Sequence, residues 1–162
     1  MAPSGVERFR AATEHLALDI HRMPDSTHTA ADAAAALGVD VGAIVKSLVF
    51  VAVRECADGG EVREPVLVLV PGDRRADLEL LTQALDARIE KADARTVKQA
   101  TGFSIGGVPP IGHPQPVPTL IDASFDRFSV LWAAAGSAYD NFPLTLPELI
   151  EWSGGRVATV AS

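Results

Sequence analysis

One lysine and two stretches of small residues carry the side chains and backbone whose types and setting could do chemistry. Lys46 stands between Val45 and Ser47, directly ahead of Leu48-Val49-Phe50-Val51. A lysine entering an apolar strand loses hydration, a cost offset when its ammonium reaches an anion or a polar cavity. It can equally lay its methylenes along the strand end and keep the ammonium in water. Residues 102–113 read GFSIGGVPPIGH. Gly106 and Gly107 let the backbone approach a ligand with no Cβ in between, and Pro109 and Pro110 stiffen the loop. Free amides there could stabilise an oxyanion or hold a ribose. The same composition also suits a tight turn between sheet layers. Residues 133–137 read AAAGS, small residues after a strand against which a ligand or a neighbouring helix could pack.

Other catalytic signatures are missing. The chain has no Gly-x-Ser-x-Gly elbow, no P-loop and no Gly-x-Gly-x-x-Gly fingerprint. His15, His21, His28 and His113 lack the spacing of metal ligands, so neither a metal nor another cofactor is expected. Cys56 is the single cysteine, which excludes an intramolecular disulfide. It falls in the polar stretch Arg54–Glu64, where a nucleophilic role is not expected.

The 162 residues suit one domain, read as 1–162, and 48% of them are apolar, enough for a core without a staple. Aromatics are 6%, so Ala, Val, Leu and Ile must fill that core. The apolar runs are too short to span a bilayer, and Met1–Phe9 has no apolar leader run. The expected location is the cytoplasm. A net charge of −7 argues against broad, non-specific binding of nucleic acid.

Patterning places the elements that must hold these residues. Helices are expected over Val6–Leu18, with Ser4 as cap, and over Thr29–Leu37. In the second, Thr29 and Asp32 make the capping pattern and Gly38 ends it. Further helices are expected over Arg75–Leu85, Ala94–Thr101 after Asp93, and Pro147–Trp152. Lys46–Val53 and Pro65–Val70 read as buried strands paired antiparallel across a loop at Arg54–Glu64. Shorter strands are expected at Asp19–Met23, Ile89–Ala92, Thr119–Asp122, Ser129–Ala135, Leu144–Leu146 and Arg156–Val160. Phe103–Pro118 holds three glycines and five prolines in sixteen residues yet stays apolar, as a binding loop would. The interleaving points to an α+β fold with a mixed sheet that curls to protect its edges.

Together these segments resemble the YbaK/EbsC family, which includes the editing domain inserted in bacterial prolyl-tRNA synthetases and free-standing relatives. The matching motifs are Asp32-Ala33-Ala34-Ala35-Ala36-Leu37-Gly38 and Ile44-Val45-Lys46-Ser47-Leu48-Val49-Phe50. Gly106-Gly107-Val108-Pro109-Pro110 follows with Ile111-Gly112-His113, and then Ala135-Gly136-Ser137 with Phe142 behind it. The resemblance runs from about Thr29 to the C-terminus.

It implies that the sheet is barrel-like and flanked by helices. It also implies hydrolysis of the ester joining an amino acid to the terminal adenosine of a tRNA. Water attacks, or in cysteine-specific members the substrate's thiol, and the neighbouring ribose hydroxyl helps transfer the proton. No enzymic nucleophile is needed, in keeping with the missing triad. By resemblance, Lys46 contacts the phosphate or ester region, Gly106 and its loop through Gly107 and Pro110 supply backbone groups, and Gly136 and Ser137 shape the wall. His113 either contacts substrate or braces the loop. Thr29 stands where cysteine-editing relatives often carry an aromatic, which favours alanine, serine or threonine as the amino acid removed. The implied partners are the acceptor end of an aminoacylated tRNA and, given the acidic charge, a synthetase or elongation factor that lends tRNA affinity. The alternatives are a non-catalytic module that binds a tRNA end or nucleotide and docks on a synthetase, and a hydrolase of some other small ester.

Overall fold

The computed structural model describes residues 2–162. Its eight strands are β1 (His21–Arg22), β2 (Ile44–Glu55), β3 (Glu61–Pro71), β4 (Arg88–Lys91), β5 (Thr119–Asp122), β6 (Leu131–Ala134), β7 (Asp140–Leu144) and β8 (Arg156–Ala158). They form one mixed sheet in the order β1-β7-β6-β2-β3-β5-β8, with β4 added to β2. β3–β5, β5–β8 and β2–β6 are parallel, and the remaining pairs are antiparallel. The sheet is not closed, so the barrel-like expectation holds for the mixed, helix-flanked arrangement and not for closure.

β2 and β3 organise the rest because both of their faces are buried. Val45, Val49, Leu67 and Leu69 point into one core, with Phe9, Val97, Phe103, Phe142 and Leu149. Phe50, Ala52, Val66, Val68 and Val70 point into a second, with Leu81 and Val160. This two-sided burial explains why both strands read as unbroken apolar runs rather than alternating ones.

The helices α1 (Gly5–Ala12), α2 (Ala30–Leu37), α3 (Leu78–Leu85), α4 (Ala94–Thr101) and α5 (Leu146–Ser153) flank the sheet. Each is eight residues, short enough to be marginal alone. Each is started by a side chain that accepts from its first-turn amides: Ser4, Thr29, Asp77, Asp93 and Thr145. Each such cap is worth about 1 kcal/mol. Among the described residues no helix is long and apolar enough to cross a membrane.

The structure corrects several expected boundaries. The first helix stops at Ala12, followed by a 3-10 turn at Glu14–Leu16 and Ala17 in the left-handed region at φ 52°. The polar stretch Arg54–Glu64 is mostly strand, and only Cys56–Gly60 turns. Its charges pair across the sheet, as in Arg63 of β3 with Glu90 of β4 at 2.6 Å over the intervening β2, so they mark an exposed ribbon rather than a loop. The strand expected at Leu144–Leu146 lies at Asp140–Leu144, because Thr145 caps α5 with a reciprocal bond to Glu148. The third helix begins at Leu78, not Arg75, because Asp77 is its cap.

Candidate functional site

A cavity of about 290 Å³ opens beside the first half of β2. It lies where that strand's outer edge is shared between two short partners. β6 covers only Ile44 and Val45, and β4 only Phe50–Val53. Among the described residues no strand covers that edge from Lys46 to Val49. Gly72 donates to the Ile44 carbonyl at 2.9 Å across the β3 side. Backbone groups alternate along a strand, so the N–H and C=O of Ser47 face the uncovered edge. The Ser47 hydroxyl is the one buried side-chain polar atom, among the described residues, without a hydrogen-bond partner. Such atoms are rare in folded proteins, and this one belongs to a cavity-lining residue.

The opposite wall is rigid. Asn141 of β7 is buried and donates to the Thr27 hydroxyl oxygen at 2.8 Å. That hydroxyl donates in turn to the Ala138 carbonyl at 2.8 Å. The first turn of α2 adds Thr29, Ala30 and Ala33. The Thr29 oxygen accepts from the Asp32 amide at 3.1 Å, so this residue caps the helix while bordering the cavity.

The glycine loop closes the third side with Ile105, Gly106 and Val108. Gly106 has φ +92°, and a Cβ there would lie 1.9 Å from His28 Nδ1. Only glycine allows this backbone to pass under the imidazole. The Gly107 amide is used within the loop, donating to the Ser104 carbonyl at 3.0 Å. The Gly106 amide has no acceptor among the described residues.

Lys46 borders the same cavity. Its side chain is half-buried, and its ammonium donates to the Arg74 carbonyl in the loop between β3 and α3. Burial first, and then the Arg75 guanidinium, hold the ammonium below the ordinary lysine range, while Asp73 acts the other way. Arg127 grips Asp73 with two bonds of 2.8 and 2.9 Å, which fixes the loop that carries the Arg74 carbonyl.

The structure therefore gathers Lys46, Gly106 and Thr29 around one space and leaves the other expected residues outside it. Gly107, Gly136 and Ser137 line a neighbouring groove, separated from the cavity by Ile105. Pro110 is buried. His113 donates from Nε2 to the Pro109 carbonyl at 2.8 Å and meets Phe103 edge-on. Burial pushes its imidazole below the usual range, more than the Pro109 carbonyl raises it. Of its two expected roles, the loop brace is the one this geometry provides.

Thr27, His28, Ile105 and Asn141 were not among the expected site residues. The polar pair Asp140-Asn141 opening an apolar stretch was a usable signal for a strand with one end in a site. In sequence His28 is distinguished only as one of four histidines without metal-ligand spacing.

Comparison with known proteins supplies the family. The sequence model of the aminoacyl-tRNA editing domain matches residues 24–152. YwhH of Bacillus subtilis, an uncharacterised protein, is 30% identical over 139 residues, which are 86% of this chain and 83% of that protein. EbsC of Enterococcus faecalis, named a candidate Cys-tRNA(Pro)/Cys-tRNA(Cys) deacylase, is 26% identical over 137 residues, 83% of this chain and 79% of that one. A crystal structure described as a candidate trans-editing enzyme for prolyl tRNA synthetase is similar with a TM-score of 0.86 at 36% identity, covering 100% of this chain and 99% of that chain. Matched by the editing-domain model over residues 24–152, most of its length, the chain belongs to the aminoacyl-tRNA editing domain family.

Proposed function

We propose that this chain acts in trans to hydrolyse the ester between a small amino acid and the terminal adenosine of a mischarged tRNA, with tRNA-Pro or a related tRNA as the carrier. One observation carries the reading: Lys46, the Gly106 backbone and the uncovered β2 edge at Ser47 border a single cavity. An aminoacyl ester brings an α-ammonium that needs acceptors and a carbonyl oxygen that gains negative charge. The Ser47 carbonyl suits the first, and the amides of Ser47 and Gly106 suit the second. Water adds to the ester carbonyl, and the bond to the ribose oxygen then breaks. The amino acid leaves as its carboxylate and the ribose oxygen takes a proton. Among the described residues no carboxylate lines the cavity, and His28 and Lys46 are its titratable side chains. The family resemblance implies that the ribose hydroxyl beside the ester helps to relay this proton. What the protein supplies is positioning and preorganised dipoles. Alanine, serine and threonine are the favoured amino acids, because Thr29 offers neither an aromatic wall nor a thiol partner.

The test is deacylation of tRNA charged with each small amino acid by purified protein. Lys46→Ala is expected to lower kcat/KM by about a hundredfold or more, on the scale of removing one preorganised group. Its unfolding transition should stay close to wild type. Undiminished turnover by this variant removes the role given to Lys46. The low affinity expected of a chain with net charge −7 should rise when the cognate synthetase is added. Tight binding of free acylated tRNA by the chain alone contradicts that borrowed affinity.

A second reading, a non-catalytic module for a tRNA end, is favoured by the engagement of the Lys46 ammonium with the Arg74 carbonyl. It requires that no ester turns over while an uncharged acceptor end still binds.

A further inference from the structure

The groove behind Ile105 has a different character from the cavity. It measures about 240 Å³. Its floor is backbone meeting backbone. A Cβ on Gly5 would lie 2.0 Å from the Gly136 carbonyl oxygen, and one on Gly107 would lie 2.7 Å from the Ser137 Cα. These glycines draw together the start of α1, the glycine loop and the β6–β7 turn. Arg8 and Lys98 stand on the rim, and no carboxylate lines the groove. The Arg8 guanidinium is held by the Gly102 carbonyl at 2.6 Å and lies 4.8 Å from the Phe103 ring centroid. Lys98 is exposed on α4. Among the described residues neither cation makes an ion pair.

Glu7 on α1, next to Arg8 in sequence, accepts from the exposed Ser4 hydroxyl at 3.0 Å and keeps its charge. Asp140, which accepts from the Ser137 hydroxyl, is buried and paired with Arg22 at 3.0 Å. On a chain of net charge −7, two cations over a floor without side chains form a local site for an anion. The wall shared with the cavity is Ile105, which is 54% exposed. An apolar residue projecting there offers a surface on which a base can rest.

We propose that this groove holds the phosphodiester backbone of the single-stranded 3′ end whose acylated terminal nucleotide occupies the cavity. Arg8 and Lys98 contact phosphate oxygens, and the strand crosses over Ile105. The proposal rests on the reading of the cavity as the ester site. It adds a subsite that only a substrate longer than one nucleoside can reach.

The experiment compares two esters of one amino acid, on adenosine and on the trinucleotide CCA, with wild-type protein and Lys98→Glu. The expected result is that the preference for the trinucleotide, as a ratio of kcat/KM values, falls about five- to tenfold in the variant, and that the salt dependence of trinucleotide binding weakens by a log–log slope of about 0.7, one phosphate contact on a single strand. An unchanged ratio overturns the proposal. Binding of uncharged CCA, by calorimetry, separates the groove from the chemistry. If wild type hydrolyses neither ester, the cavity reading fails, yet weaker CCA binding by Lys98→Glu than by wild type still supports the groove. Equal CCA binding by the two proteins overturns it whatever the esters do. Arg8→Lys, which keeps the charge but loses the planar stack on Phe103, should retain more of the preference than Lys98→Glu.

Discussion

Asp122 and Ser47 are both polar residues set into the central sheet, and they differ in how completely they are partnered. Asp122 is 2% exposed at the end of β5. One of its oxygens accepts from the Val160 and Ala161 amides, each at 3.0 Å. The other accepts from the Ser124 amide at 3.1 Å and from the Ser124 hydroxyl. Every donor in that cluster is spoken for, and the cluster pins the C-terminus to the sheet. Ser47 has a buried hydroxyl with no partner and backbone groups on an edge that no strand covers. A satisfied buried cluster contributes to folding. An unsatisfied one in a residue that lines a cavity is a cost that folding alone does not explain.

The contrast breaks most easily at Asp122. Asp122→Ala leaves two buried amides without an acceptor and should cost about 3 kcal/mol. Calorimetry should show Tm lower by about 6–12 °C. Catalysis by the fraction still folded should change little, since Asp122 does not border the cavity.

Gly106→Ala is expected to have the next largest effect on stability. The residue must hold φ +92° beneath His28, so the added methyl meets both backbone strain and a collision. About 1–3 kcal/mol is expected from the strain. His28→Ala in the same chain should recover the part due to collision and leave the part due to φ. Deacylation should fall far more than stability does.

A smaller effect attends His113. Its pKa is lower in the folded protein than in the unfolded chain, because burial disfavours the charged ring. The folded state therefore binds its proton less readily. The associated stability is complete above the unfolded value of about 6.5 and declines as pH falls below it, towards the lower folded value. Denaturant midpoints measured from pH 8 down to 5 should show this decline, and His113→Gln should flatten it.

Ser47→Ala should change stability least. Removing an unpartnered hydroxyl is expected to cost about 0.5 kcal/mol or less, or even to stabilise. Its effect should appear in KM for the acylated substrate. A loss of stability as large as that of Asp122→Ala would mean that Ser47 is already partnered, and the contrast between the two residues would dissolve.

Much of the fold was legible because its signals are local. A cap and its first-turn amides lie within three residues, as Thr29 and Asp32 do. The apolar runs of β2 and β3 announce burial on both faces. The left-handed glycines at 38, 102 and 154 end helices where a side chain would be strained. The site was legible only in part. Lys46 and Gly106 line the cavity, and their own types pointed to such a place. Ser47 does not, since a serine in a strand looks the same whether or not a neighbour covers its edge.

The sequence by itself therefore determined the caps, the two-sided strands, the stiff glycine loop and the family. Tertiary structure alone decided which edge of β2 stays bare, that Gly106 runs under His28, that the Lys46 ammonium settles on the Arg74 carbonyl, and that Gly107, Gly136 and Ser137 face a separate groove. The physical reason is range. Capping and burial patterns are set by residues a few positions apart, whereas these contacts join segments far apart in the chain and arise only once strands have chosen their partners.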